Sequence, residues 1–248
     1  MDLIKLNNVS YSIDRKAILR NINLQINRND FIGVIGPNGG GKTTLIKILL
    51  GIIKPSEGKV LSENGLNVKY VPQFSNFEKT FPIKVIDVVL SGLERGNLKP
   101  FRRYSKEEKE YAMSLLEKLE IGDLKDRQIG GLSGGQMQKV LILRGIISKP
   151  DLILLDEPTA SIDTKSKNTI YSYLKELNKD MAIFLVTHDM AVISSYVKTV
   201  GCLNIDFHYH NDKQLDQESL EKTFGCPIDL IAHGYPHRVL PKHWGDIE

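Results

Sequence analysis

The 248-residue chain is poor in the features that mark several protein classes. It has two cysteines, Cys202 and Cys226, too few for a disulfide framework, which suggests a reducing interior. Long hydrophobic runs are missing. No stretch approaches the ~20 apolar residues of a membrane span, and the richest candidate, Val140 to Ile147, is cut by Arg144. The opening Met1-Asp2-Leu3-Ile4-Lys5 has no basic stretch followed by an apolar one, so no signal peptide is expected there. Strong charge of one sign is absent as well. A formal net charge of +3 does not argue for a nucleic-acid partner, which calls for basic residues clustered on one face. Internal repeats, heptads and low-complexity tracts are not found.

What remains is a composition of 41% hydrophobic and 25% charged residues, which fits a globular protein long enough to bury a proper core. Residues 3–28 alternate apolar and polar (Ile4, Leu6, Val9, Tyr11, Ile13, then Leu19, Ile22, Leu24, Ile26), as half-exposed strands do. Phe31-Ile32-Gly33-Val34-Ile35 is a continuous apolar run, expected as a strand buried on both faces of a mixed or parallel sheet. Leu152–Leu155 and Ala182–Val186 read as further core strands. From Glu94 to Arg127 the chain turns charge-rich and helically patterned (Met113, Leu115, Leu116, Leu119, Ile121), which predicts a helical subdomain inserted into the sheet domain.

The chemistry begins at Gly36-Pro37-Asn38-Gly39-Gly40-Gly41-Lys42-Thr43, which follows the first core strand. Leu45, Ile48 and Leu49 then recur at helical spacing, and Gly51 supplies a stop. Strand, glycine loop and helix together form a phosphate-gripping unit. Glycines let backbone N–H groups turn inward, the helix N-terminus faces the same anion, Lys42 reaches the β- and γ-phosphates, and Thr43 offers a hydroxyl to Mg²⁺. Asp156 and Glu157 end the apolar run Leu152–Leu155 at the edge where such folds bind ligands. Asp156 would share the Mg²⁺, and Glu157 is the candidate general base for the attacking water.

Between these motifs lies Leu132-Ser133-Gly134-Gly135-Gln136, and His188 follows them. This constellation resembles one family, the ATP-binding-cassette (ABC) ATPases, over nearly the whole chain and most strongly from Leu3 to about Leu203. The resemblance implies an α/β P-loop NTPase cassette with a RecA-like core sheet, an antiparallel β subdomain and the inserted helical subdomain. Its implied limits are 1–82 and 136–203 for the ATP-binding core, 83–135 for the helical subdomain ending in LSGGQ, and 204–248 for a C-terminal extension. It implies ATP and Mg²⁺ as cofactors, with nucleotide contacts from residues 36–43, from Thr44 and from Tyr11 stacked on adenine. Gln73 acquires a catalytic and metal-contacting role, His188 that of the γ-phosphate switch, and Asp163 a place at the partner subunit. Ser133, Gly134, Gly135 and Gln136 would close over the ATP held by a second copy, so that two cassettes sandwich two ATPs head to tail.

Departures from the family pattern are few. Asn29-Asp30 replaces the usual Gly-Glu, Lys139 stands where Arg is usual, and Gly145 replaces Ala and should soften its helix by up to ~1 kcal/mol. The triple glycine 39–41, the segment Phe81–Gly92 and the tail Gly225–Gly234 narrow the resemblance to importers of zinc, manganese or iron. Partners would then be a separate integral-membrane permease dimer, docking near Phe74–Val89 over Phe74, Phe77 and Phe81, and indirectly an extracytoplasmic metal-binding protein. The chain itself would lie in the cytoplasm on the inner face of the membrane. A transporter of another cargo, or a non-transport ABC ATPase acting on ribosomes or DNA, is the alternative. Five of six histidines and both cysteines follow residue 201 (Cys202, His208, His210, Cys226, His233, His237, His243), as either a packing extension with incidental histidines or a metal site.

Overall fold

The computed structural model describes residues 2–73, 82–93, 103–159 and 162–210. Strands β1 (Asp2–Ile13) and β2 (Lys16–Asn27) form a hairpin. Its two turn residues, Asp14 and Arg15, both take positive φ, the backbone of a type I′ turn. The expected alternation is there, with Leu6, Val9, Ile22, Leu24 and Ile26 buried and their neighbours exposed or half-exposed. Next come β3 (Phe31–Ile35), helix α1 (Lys42–Leu49), β4 (Glu57–Ser62) and β5 (Val68–Val71). The helical stretch holds α2 (Val85–Ser91), α3 (Lys106–Lys118) and α4 (Gly134–Ile146). The chain continues through β6 (Leu152–Asp156), α5 (Thr164–Leu177), β7 (Ala182–Val186), α6 (Met190–Tyr196), β8 (Thr199–Asn204) and β9 (Asp206–His210).

The strands make an antiparallel sheet, β2-β1-β4, and a six-stranded sheet, β5-β6-β7-β3-β8-β9. The latter is parallel except for β9, an antiparallel edge. Its central strands explain the unbroken apolar runs, because both faces are covered. Ile153 and Leu155 point into a core shared with α2 to α6, whereas Leu152 and Leu154 point into a second core with α1, β1 and β2. The first turns beyond β3, β6 and β7 therefore gather at one edge of the sheet.

The start of the helical stretch is hydrogen-bonded to residues just before α4. Val85 N–H donates to Arg127 O, and Ile129 N–H donates to Ile83 O. α2 packs on α3 and α4, and no strand occurs among the described residues from 103 to 131. Asn29, where glycine is usual, has φ +64°, a conformation that asparagine tolerates better than most residues. Phe74, Phe77, Phe81, Cys226, His233, His237 and His243 lie outside the described residues. Cys202 is buried on β8 opposite His208 on β9, and among the described residues no three His, Cys, Asp or Glu side chains gather to hold a metal.

Candidate functional site

The loop between β3 and α1 is shaped by close backbone approach. A Cβ on Gly36 would come within 1.9 Å of Leu203 O, and one on Gly41, where φ is +94°, within 2.6 Å of Leu19 Cδ2. From β2 and β8 the loop is braced through Ile205, whose N–H donates to Gly40 O while its carbonyl accepts from Arg20 N–H. Four helices, α3 to α6, begin with capping side chains: Ser105, Ser133, Asp163 and Asp189. In contrast, α1 has no capping side chain and no acid in its first turn, so its amides face the loop uncompensated. Lys42 is buried, and its Nζ donates to Gly36 O and Pro37 O at 2.8 Å each. Burial lowers the pKa of this ammonium, opposed by the charges of Glu157 and Asp156.

Asp156, at the end of β6, is 5% exposed, and its Oδ2 accepts from Thr43 Oγ1 at 3.0 Å and from Tyr70 OH at 3.4 Å. Burial raises the carboxyl's pKa, and the Thr43 hydrogen bond opposes the rise. The Tyr70 phenol is pushed up to about 12, by burial first and then by Asp156. A buried carboxylate beside an α1 hydroxyl is a hard-oxygen donor set that fits Mg²⁺.

Glu157 follows in a left-handed conformation, φ +45°, with its N–H on Val186 O. Such a backbone at a non-glycine residue costs of order 1–3 kcal/mol and turns the side chain out of the strand direction. The carboxylate is thereby presented to two side chains. Gln73, just beyond β5, donates from Nε2 to Oε2 at 2.9 Å, and His188 Nε2 lies 2.6 Å from Oε1. Thus the turns after β5, β6 and β7 bring together three of the expected residues. Thr44, in the first turn of α1, is half-buried, and Asn38 and Gly39 are exposed at the loop tip. Tyr11 is half-buried on β1 opposite Leu19, the residue against Gly41.

A second group lies apart. Ser133 and Gln136 form a capping box, with Gln136 N–H on Ser133 Oγ at 3.3 Å and Ser133 N–H on Gln136 Oε1 at 3.0 Å. Asp163 caps α5 by accepting from Ser166 N–H at 2.9 Å, which holds its carboxyl below the usual carboxylate range. A Cβ on Gly135 would be 3.8 Å from Asp163 Oδ2, so this cap sits beside the start of α4. Among the described residues no hydrogen bond joins 133–136 to 36–44. Lys139 is buried and donates to Leu119 O at 2.9 Å, tying α4 to the end of α3. Sequence reasoning missed Tyr70, since its reach to Asp156 depends on β5 lying next to β6.

Known proteins resemble this chain over most of its length. Residues 19–160 match the family model described as ABC transporter. The zinc uptake system ATP-binding protein ZurA of Listeria innocua is 38% identical over 237 residues, covering 86% of this chain and 91% of that protein. The high-affinity zinc uptake system ATP-binding protein ZnuC of Bacillus subtilis is 36% identical over 209 residues, covering 81% and 90%. Among solved structures, an ABC transporter in an inward-facing conformation is 30% identical with a TM-score of 0.83, covering 94% of this chain and 93% of that one. A dimeric, post-hydrolysis ATP-binding cassette bound to ADP and Pi is 28% identical with a TM-score of 0.67, covering 84% and 97%. Sheet order, phosphate loop and matched relatives together mean that this chain belongs to the ABC transporter family, as one of its ATP-hydrolysing ATP-binding subunits.

Proposed function

We propose that this subunit powers the import of a transition metal ion, zinc first and manganese or iron next, by hydrolysing ATP in a head-to-tail dimer on a separate membrane permease. The metal reading rests on the relatives, whose names specify zinc uptake. Among the described residues no helix is long and apolar enough to cross a membrane, in keeping with a subunit that docks on the inner face and leaves the span to its partner. An extracytoplasmic binding protein would deliver the metal to that permease.

The observation that carries the ATPase chemistry is the convergence of Gln73, Glu157 and His188 beside Lys42. The glycine loop and the α1 amides hold the phosphates, and Lys42 exchanges its two carbonyl contacts for phosphate oxygens. Thr43 and Asp156 would hold Mg²⁺, which when bound offsets charge on the phosphate oxygens. Glu157 accepts the proton of the attacking water, while Gln73 and His188 fix its two oxygens. The separation of Ser133–Gln136 from residues 36–44 favours a role for LSGGQ toward a second copy's ATP, with residues 83–135 as the helical subdomain that carries it. Reconstitution in liposomes with the permease that co-purifies with it tests the reading: zinc uptake should need ATP and vanish with Glu157→Gln. ATP hydrolysis without uptake of any metal would remove the cargo assignment and leave the ATPase.

A further inference from the structure

The turns that leave β6 and β7 carry Glu157 and His188, and two side chains of α5, outside the nucleotide motifs, are bonded one to each. Tyr171, on α5, is fully buried. Its hydroxyl lies 2.9 Å from Thr159 Oγ1, two residues beyond Glu157. The ring stacks on Tyr196 of α6, with centroids 5.5 Å apart and planes at 28°. One turn earlier on α5, Lys167 reaches Asp189 Oδ2 at 3.1 Å, and Asp189 in turn caps α6 and donates its N–H to Thr187 Oγ1 at 3.0 Å. Two rungs on α5 therefore grip the segments on which the catalytic pair sits. A phenylalanine would fill the same space, so the hydroxyl is the part that packing does not need. A buried hydroxyl is retained at a desolvation cost unless it is bonded, and here it is bonded to Thr159 on the Glu157 side.

We infer that Tyr171 is a positioning residue for ATP hydrolysis: its hydroxyl ties the turn of Glu157 to α5, whose Lys167 holds the turn of His188, and so keeps the 2.6 Å contact between those side chains. The inference rests on the roles proposed above for Glu157 and His188. It predicts a specific kinetic signature, because the tie lies behind the catalytic pair and away from the phosphate loop. Tyr171→Phe should lower kcat for ATP about tenfold, as small misplacements of catalytic groups do, with KM unchanged. Thr159→Val should do the same, and the double variant no more than either alone.

The test compares these variants with His188→Ala, alone and combined with Tyr171→Phe, after circular dichroism has established that each is folded. In the His188→Ala background Tyr171→Phe should cost nothing further. Independently of turnover, the ¹⁵N resonance of His188 Nε2 in labelled protein should move in Tyr171→Phe. A hydroxyl that merely stabilises the fold would lower the melting temperature but leave kcat and the resonance in place. Unchanged kcat with an unmoved resonance, or additive losses with His188→Ala, would overturn the inference. Wild-type turnover in His188→Ala alone would instead overturn the role of that histidine, and the resonance would still decide whether Tyr171 holds it.

Discussion

His188 Nε2 lies 2.6 Å from Glu157 Oε1, and the other carboxylate oxygen of Glu157 accepts from Gln73 Nε2. Both oxygens of the candidate base are thus oriented by donors before any nucleotide is considered, one from beyond β7 and one from beyond β5. An amide cannot serve in that position, since it has one acceptor oxygen and no basic site. Glu157→Gln should therefore keep ATP binding while cutting turnover by about 10²-fold or more, the usual contribution of a general base. It should also trap a nucleotide-bound dimer on size exclusion. Turnover above about a tenth of wild type would show that Glu157 is not the base.

Lys42 and Ser133 are expected to fail differently. Lys42 is buried in the loop proposed to hold the phosphates of the bound ATP, so Lys42→Ala should weaken ATP binding by the isolated subunit at least tenfold, about 1.4 kcal/mol. Ser133 caps an exposed helix start apart from that loop, so Ser133→Arg should leave monomer affinity within about twofold and block dimer formation. Calorimetry and size exclusion separate the two outcomes. Equal loss of affinity in both variants contradicts a role for LSGGQ toward a second copy.

The parts of the fold that were legible are those whose environment is uniform. β3, β6 and β7 are covered on both faces and read as unbroken apolar runs, and β1 and β2 are covered on one face and alternate. By contrast, β4 is an edge strand in which only Val60 is partly covered, so Glu57–Ser62 shows no period. β8 is interrupted by Gly201, which reads as a break. In fact a Cβ there would come within 2.3 Å of Phe207, so glycine is a packing need of the β8–β9 pair. At the site, the motif residues were legible because each motif is one short continuous segment. Tyr70 and Tyr171 were not, because their partners Asp156 and Thr159 come from other elements and meet them only through strand order and helix packing.

Gly145 gives the third prediction. Helix propensity alone favours alanine at this position by up to ~1 kcal/mol. However, a Cβ at Gly145 would sit 3.2 Å from Ile153 Cδ1 and 3.2 Å from Val71 Cγ2, tighter than ordinary contact. Overpacking of this kind costs about 1–3 kcal/mol, enough to cancel the gain. Gly145→Ala should therefore not raise the melting temperature. A rise of more than about 3 °C, worth roughly 1 kcal/mol in a chain of this size, would mean that Val71 and Ile153 yield without strain.

Asp156 gives the last. Its carboxyl is raised above the 3.8 of an unfolded aspartate, first by burial and then by the charge of Glu157, against the hydrogen bond from Thr43. Between those two values the folded state binds more protons than the unfolded one, so stability falls as pH rises through that window and the full penalty is present at neutral pH. Asp156→Asn removes the buried charge and keeps an oxygen for the Thr43 hydroxyl. In the absence of nucleotide the variant should thus melt higher than wild type at pH 7, with the difference shrinking as pH falls toward 3.8. ATP with Mg²⁺ should reverse the order, because a bound cation repays the carboxylate and does less for an amide, and turnover should be lost. The four scans by calorimetry, with and without MgATP at pH 7 and pH 4.5, decide it. A variant that melts lower than wild type without nucleotide at pH 7 would show that Asp156 is not held at a cost for the cation.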